Sequence, residues 1–180
     1  MKIKAYTEIC DNKYVVRTIS NEDAEILRLW KNEHRQFFFY NKEISFDEQK
    51  LWMDQMNRRT NDFMFIVENN SVPIGCVGAR VIEDFVDIYN VILGNKLYKG
   101  KHIMTEALWS VVSFCTLFFN SMPIRVRVLK NNPAIKWYEK IGFILTKDNS
   151  DYVEMQFMEK VITNHYKFNL IVYLPLKKLL

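Results

Sequence analysis

Two groups of side chains in this sequence have a clear chemical use. Lys99 and Lys101 flank Gly100 directly before a long amphipathic run, so they place positive charge at the N-terminus of a predicted helix, where an anion is favoured. Further along, Tyr138 offers a phenol, which is a proton donor at neutral pH. The sequence therefore predicts an anion-binding loop and a proton donor. The alternatives are a solvated loop and a core tyrosine whose hydroxyl is satisfied inside the fold.

The segment around Tyr138 predicts a strand, a short helix and a second strand. Apolar and basic residues alternate over Ile124–Leu129, as in a half-buried strand. Asn132 is a natural N-cap before Pro133 at the first helical position. Gly142 supplies the left-handed residue that ends such a helix. The apolar residues after it begin the next strand, and one further strand completes the predicted order.

The rest of the chain predicts an α/β protein. The other predicted elements are a strand over Tyr14–Ile19, a helix with the periodic run Ala24 to Trp30, a helix after the Ser45–Glu48 capping box, strands over Phe63–Glu68, Val72–Ile82 and Phe85–Leu93, and a helix from Ile103 to about Phe119. This order predicts a single mixed, mostly antiparallel sheet flanked by helices.

Composition limits the class of protein. The chain has 180 residues with 49% apolar content, which suffices for one domain. Its 25 basic and 21 acidic residues give a net charge of +4 without a Lys/Arg block, so we expect no nucleic-acid partner, and a small polyanionic ligand suits this balance. The three cysteines lack C-x-x-C spacing, so neither a disulfide framework nor a metal site is expected.

We also expect a cytoplasmic location. An odd number of cysteines without a pairing pattern is typical of a reducing compartment. The first eight residues lack the apolar core of a signal peptide. No window reaches the roughly 18 apolar residues of a membrane span.

The segment that begins at Asn131 has the pattern N-x-x-A-x-x-x-Y-x-K-x-G-F. This pattern resembles the second half of the coenzyme A site in the GNAT superfamily of N-acetyltransferases, and the predicted element order is similar to the fold of that family over residues 14 to 160. The resemblance implies one domain over residues 1–160. The apolar segment over residues 161–180 lies outside the match, and it indicates an added strand or an oligomer contact such as a homodimer interface.

The resemblance implies acetyl-CoA as co-substrate and a set of residues that bind it. The family counterpart of Tyr138 lies beside the sulfur of the cofactor, so the resemblance implies that Tyr138 protonates the departing thiolate. It also implies that a backbone amide near Val91 to Leu93 binds the oxyanion, where this strand diverges from its neighbour. The implied cofactor-binding residues are Val91, Ile92, Leu93, Lys99, Gly100, Lys101, His102, Ile103, Met104, Asn131, Ala134 and Lys140.

The phosphate loop departs from the family pattern at two positions. His102 and Met104 stand where the family usually has small residues. Two interpretations follow: a loop of altered shape, in which the lysines and His102 add direct charge to the phosphates, or a protein that has lost tight cofactor binding. We favour the first because the charge at the helix N-terminus is kept.

The acceptor, a small-molecule amine, would bind between the first two helices. Lys31, Arg35, Phe38 and Tyr40 belong to an aromatic run of mixed charge. The arrangement of Trp30–Asn32, Glu43–Ser45 and Leu51–Trp52 resembles the subset of the family that acetylates amino sugars carried on a nucleotide. Aromatic side chains stack on a base or a sugar, and the cations meet the diphosphate. The alternative places two of the four aromatics in the core.

Two other functions remain open at this stage. An N-terminal protein acetyltransferase of the ribosomal-protein type shares the fold, and acidic groove residues would favour it. A non-catalytic binding module would keep the fold but lose the cofactor. The sequence does not select a general base among the titratable residues near the predicted site, which are Glu33, His34, Glu83, Asp84 and Asp87.

Overall fold

The computed structural model describes residues 4–6, 14–119 and 122–158. Within them, one sheet of eight strands is flanked by four α-helices. The elements are β1 (Lys4–Tyr6), β2 (Tyr14–Thr18), α1 (Ala24–Glu33), α2 (Phe46–Met56), β3 (Asp62–Asn69), β4 (Val72–Ile82), β5 (Phe85–Leu93), α3 (Ile103–Phe118), β6 (Ile124–Leu129), α4 (Ala134–Lys140), β7 (Phe143–Asp148) and β8 (Tyr152–Phe157). The predicted fold class is confirmed, and β1 is an addition to the predicted order.

The sheet has one parallel pair, and that pair creates an opening. The strand order among the described residues is β1-β2-β3-β4-β5-β6-β8-β7, and its other neighbouring strands are antiparallel. The parallel pair β5–β6 is bonded only between Val86–Ile88 and Ile124–Val126. Beyond this point β5 continues to Leu93 without pairing with β6, so the two strands diverge.

Helices cover both faces of the sheet. On one face, α3 and α4 contribute to the larger apolar cluster, in which Phe65 of β3 meets Phe114 of α3 with ring centroids 5.5 Å apart. On the other face, α1 and α2 form a smaller cluster around Leu27, Trp30 and Met53. The second cluster takes sheet residues from β3, β4 and β5, so the same face of β6 remains open beside it.

The predicted capping box is present at the start of α2. The Ser45 hydroxyl accepts from the Glu48 amide at 3.3 Å, and the Glu48 carboxylate accepts from the Ser45 amide at 2.7 Å. This satisfies two groups that the helix end would otherwise leave unpaired.

Replacing Ser45 by alanine is expected to lower the free energy of unfolding by about 1 kcal/mol, because the Glu48 amide loses its acceptor. Urea unfolding measures this change. The exposed Ser150, between β7 and β8, gives the matched serine-to-alanine control, and equal losses in the two variants would contradict a specific role of the cap.

In the described residues, no helix combines the length and apolar character needed to cross a bilayer. The predicted extension over residues 161–180 lies outside the described residues.

Candidate active site

A cavity of about 590 Å³ lies where β5 and β6 diverge. Its walls include residues 87–92 of β5 and 126–128 of β6. Tyr138 and Ala134 of α4 border the cavity on one side of the sheet, and Lys31 and Phe38 border it on the other. The cavity therefore connects the two faces of the sheet, so that two ligands could meet within it from opposite sides.

Tyr138 faces this cavity. Its side chain is 5% exposed, and its ring packs edge-on against Phe143 at 5.3 Å between centroids. Burial and the Asp87 carboxylate both raise the pKa of the Tyr138 phenol above its ordinary value. The hydroxyl makes no hydrogen bond to any residue that the structure describes, so its proton is available to a ligand.

The start of α4 is fixed as the sequence predicts. The Asn132 side chain accepts from the Ala134 amide at 2.9 Å, and Pro133 has helical dihedral angles (φ −64°, ψ −12°). At the other end, Gly142 is left-handed with φ 108°. Tyr138 therefore owes its position to local signals at both ends of one short helix.

The loop before α3 keeps a backbone shape suited to anions. Gly100 and His102 both have left-handed φ values, 79° and 59°, and the His102 carbonyl accepts from the Thr105 amide at 3.0 Å. The first amides of α3, at Ile103 and Met104, have no intrahelical acceptor by helix geometry. Left-handed residues next to a helix N-terminus direct such amides toward a common point, which favours an anion.

The two departures from the family pattern do not fill this loop. His102 takes the left-handed conformation that glycine usually supplies, and its side chain is exposed. Met104 is 9% exposed and points to the sheet, where a Cβ on Gly75 would lie 2.7 Å from its sulfur. The same Cβ would lie 2.4 Å from the Ile92 carbonyl oxygen, so the loop adjoins the end of β5.

The other predicted cofactor residues have varied positions. Val91, Ile92 and Ala134 line the cavity, whereas Leu93 does not. Lys99 is exposed, and the Lys101 ammonium lies 4.8 Å from the centroid of the Tyr98 ring. Asn131 donates to the Gln36 carbonyl at 3.5 Å, and Lys140 is exposed in the last turn of α4. These assignments stay predictions.

The aromatic run Phe37–Tyr40 forms one wall of the cavity. It is attached to the start of α4, because Asn132 donates to the Phe37 carbonyl at 3.4 Å. Phe39 also packs edge-on against Tyr152 of β8 at 5.4 Å. All four aromatic residues of the run line the cavity, including the predicted acceptor residues Phe38 and Tyr40, whereas Arg35 lies outside its lining.

Lys31 has an unusual environment for a lysine. Its ammonium donates to the Asn90 side-chain oxygen at 2.5 Å and lies 3.2 Å from the centroid of the Phe38 ring. Asn90 has φ 47° and sits in a bulge of β5 opposite Val77. No ion pair among the described residues includes Lys31. Burial lowers the pKa of its ammonium to about 7.

A charged cluster on the same face was not predicted from the sequence. Asp87 is 2% exposed, and one of its carboxylate oxygens accepts from Arg80 at 2.7 Å and from Arg127 at 3.4 Å. All three side chains line the cavity. The alternation of β6 does indicate that its arginines share one face, but it does not indicate what they face.

The five residues considered as general base differ in whether they line the cavity. Glu83 and Asp84 are exposed beyond the end of β4, and Glu33 pairs with Lys96 at 2.5 Å. None of these three lines the cavity, whereas His34 and Asp87 do. The Nε2 atom of His34 is sealed from solvent and has no hydrogen-bond partner among the described residues. The described residues also contain no cluster of His, Cys, Asp or Glu that could hold a metal ion.

Comparison with known proteins agrees with this architecture. A family model for the acetyltransferase (GNAT) domain matches residues 13–144. An uncharacterized protein from Methanocaldococcus jannaschii is 26% identical over 142 residues, which cover 76% of this chain and 29% of that protein. The chain thus spans less than a third of the length of this relative.

Two solved structures resemble the fold. FdhC, a nucleotide-linked sugar GNAT in its apo form, is 18% identical with a TM-score of 0.69, over 87% of this chain and 89% of that chain. Spermidine N-acetyltransferase from Vibrio cholerae, in complex with CoA and spermine, is 20% identical with a TM-score of 0.66, over 79% of this chain and 92% of that chain. At these identities the likeness shows the fold alone.

Proposed function

Because the chain belongs to the GNAT acetyltransferase family, we propose that it moves an acetyl group from acetyl-CoA to the primary amine of a nucleotide-linked amino sugar. The residues present fit acetyl-CoA. The amides before and within the first turn of α3 suit its pyrophosphate, and the divergence of β5 from β6 leaves main-chain groups of β5 without a strand partner. Tyr138 offers a free hydroxyl to its sulfur.

The charge of the cavity carries the choice of acceptor. Its lining includes two arginines, Arg80 and Arg127, and one lysine, Lys31. The lining carboxylates are Glu48, which caps α2, and Asp87, which is already shared by both arginines. Arg127 makes only a 3.4 Å contact to Asp87, so most of its five donors remain for a ligand. Such a surface suits an acceptor with an anionic part.

The aromatic wall suits a nucleotide. Phe39 is 57% exposed and Tyr40 is 50% exposed, although exposing large aromatic rings to water is unfavourable. A planar base or the apolar face of a sugar would cover them. A nucleotide diphosphate sugar combines this planar part with the anionic part that the arginines favour.

The same charges disfavour the other acceptors. Spermidine, the substrate of one structural neighbour, is a polycation and would meet Arg80 and Arg127, whose carboxylate partner Asp87 is already shared between them. A peptide N-terminus would be favoured by an acidic groove, and the lining of the cavity is not acidic. The amino sugar is therefore the best-supported acceptor.

The chemistry requires little of the side chains. The neutral amine attacks the thioester carbonyl, the oxyanion needs a main-chain donor of β5, and the departing thiolate needs a proton. Tyr138 supplies this proton. Burial raises the pKa of the Tyr138 phenol. The same low-polarity surroundings also make the coenzyme A thiolate a stronger base, so proton transfer from the phenol to the thiolate stays favourable.

Arg127→Met is the test of the proposed acceptor. With a UDP-linked 4-amino sugar as the probe, we expect the variant to lose about 10-fold or more in kcat/KM, because a hydrogen bond to a charged group contributes about 1.5–3 kcal/mol. The loss should appear mainly in KM for the sugar nucleotide. Acetyl-CoA binding, followed as a shift in Tm, should not change.

Arg125→Met is the matched control on the same strand. Arg125 donates to Gln156 and stacks on Phe85, and it lies outside the cavity lining. Equal losses in the two variants would argue against an anion site at Arg127. Faster acetylation of spermidine than of the sugar nucleotide by the unsubstituted chain would refute the proposed acceptor.

A further inference from the structure

We propose that Lys31 is the general base of the reaction, the group that takes the proton from the acceptor amine. The inference rests on the proposed function, because it assigns a role within the same cavity. It differs from the sequence-based prediction, which gave Lys31 a cationic contact to the diphosphate.

Lys31 lies beside β5, the strand that we propose binds the acetyl group. Its ammonium is held by Asn90, and the next residue along β5 is Val91, at the start of the predicted oxyanion segment. Asn90 can hold this position because the bulge in β5 gives it a left-handed backbone. An amine that attacks a carbonyl against this part of β5 is therefore brought close to the nitrogen of Lys31.

The charges around Lys31 leave it without a counterion. The titratable or charged residues of the lining near Lys31 include His34, directly after its helix, Glu48 of α2, Cys76 and Arg80 of β4, Asp87 of β5 and Arg127 of β6. Glu48 accepts from Ser45, and Asp87 is shared by the two arginines. Burial raises the pKa of Cys76 to about 12, so this thiol is neutral at pH 7.

This environment favours a neutral amine. Burial disfavours the charged form of a lysine unless a carboxylate compensates, and none does so here among the described residues. The Phe38 ring opposes the effect, since a cation over an aromatic face is stabilised. With the pKa of Lys31 lowered to about 7, a substantial fraction is a free base at neutral pH, where general bases are most effective.

Lys31 and Tyr138 together account for every proton that moves in the reaction. The acceptor arrives as an ammonium ion and gives one proton to the Lys31 amine. Its lone pair then forms the C–N bond, and the C–S bond breaks with its electron pair on sulfur. The Tyr138 proton moves to this thiolate, and one of the two protons on the acylated nitrogen restores Tyr138, which leaves the amide with its single N–H. Lys31 finally releases its proton to solvent.

Two substitutions separate a base from a simple cation. Lys31→Arg keeps the positive charge and removes the titratable base, whereas Lys31→Met keeps the apolar stem and removes both. We expect both variants to lose about 100-fold or more in kcat with the UDP-linked 4-amino sugar. The unsubstituted chain should show kcat rising with pH through about 7, and both variants should lack this limb.

The control is Lys50→Met, on the exposed face of α2, which should keep both the rate and the pH profile. Acetyl-CoA binding by all three variants, followed by Tm, shows whether the fold and the cofactor site survive. If Lys31→Arg keeps kcat within about 3-fold of the unsubstituted chain, Lys31 acts as a cation, and its role as a base is overturned.

A second measurement does not depend on the acceptor. Competitive labelling with acetic anhydride between pH 6 and 10, followed by mass spectrometry of the Lys31 peptide, gives the protonation of this amine in the intact chain. A midpoint near pH 7 supports the proposal, and a midpoint above about 9 overturns it. Failure of the unsubstituted chain to acetylate the sugar nucleotide would refute the proposed function, and the labelling would still decide the state of Lys31.

Discussion

Replacing Tyr138 by phenylalanine is expected to lower kcat by about 10²–10⁴-fold, the range that general acid catalysis usually supplies. The hydroxyl is the only part removed, and it has no partner among the described residues, so the substitution leaves no orphaned group behind. The ring keeps its contacts with Trp137 and Phe143. Steady-state kinetics with acetyl-CoA and the UDP-linked 4-amino sugar measure the effect.

The binding of acetyl-CoA distinguishes a chemical defect from a structural one. With the ligand at about 100 times its Kd, linkage predicts about 2.7 kcal/mol of stabilisation, and Tyr138→Phe should show the same shift in Tm as the unsubstituted chain. Tyr152→Phe is the matched control, because Tyr152 meets Phe39 through its ring and lies outside the cavity lining. A rate for Tyr138→Phe within a few-fold of normal would mean that water protonates the thiolate.

Local sequence signals were sufficient for most of the fold. The bounds of β4, β5 and β6 agree with the predicted strands. Turn residues at both ends of an apolar run determine where such a strand begins and ends. The limits of α4 follow from Asn132 and Gly142, which act on their own neighbours. The three-residue strand β1 was missed, since so short a segment carries no period.

The polar half of the site could not be predicted in the same way. Lys31 and Asn90 are 59 residues apart in sequence, and their contact depends on the bulge in β5. Arg80, Asp87 and Arg127 meet only because β4, β5 and β6 are adjacent in one particular register. A shift by one residue would place these side chains on the opposite face. Sequence periodicity gives the face of a strand but not its neighbours.

Gly94 is required by the packing of α1 and not by its backbone conformation. Gly94 follows β5, and it is absent from the positive-φ residues of the described chain. A Cβ at Gly94 would lie only 1.9 Å from an atom of the Trp30 ring. Trp30 is 7% exposed and belongs to the apolar cluster between α1 and the sheet. The absence of a side chain at Gly94 therefore lets α1 lie directly on the end of β5.

Gly94→Ala is expected to lower the free energy of unfolding by about 3 kcal/mol or more, because Trp30 must leave its place or α1 must move. Urea unfolding gives this value. The variant should also lose turnover, since Lys31 is the next residue after Trp30 and would move away from Asn90. Gly100→Ala is the matched control: nothing lies within 4 Å of its Cβ, so we expect only the roughly 1 kcal/mol cost of a left-handed alanine. Equal losses of unfolding free energy in the two variants would show that Trp30 adapts to the added methyl group without cost.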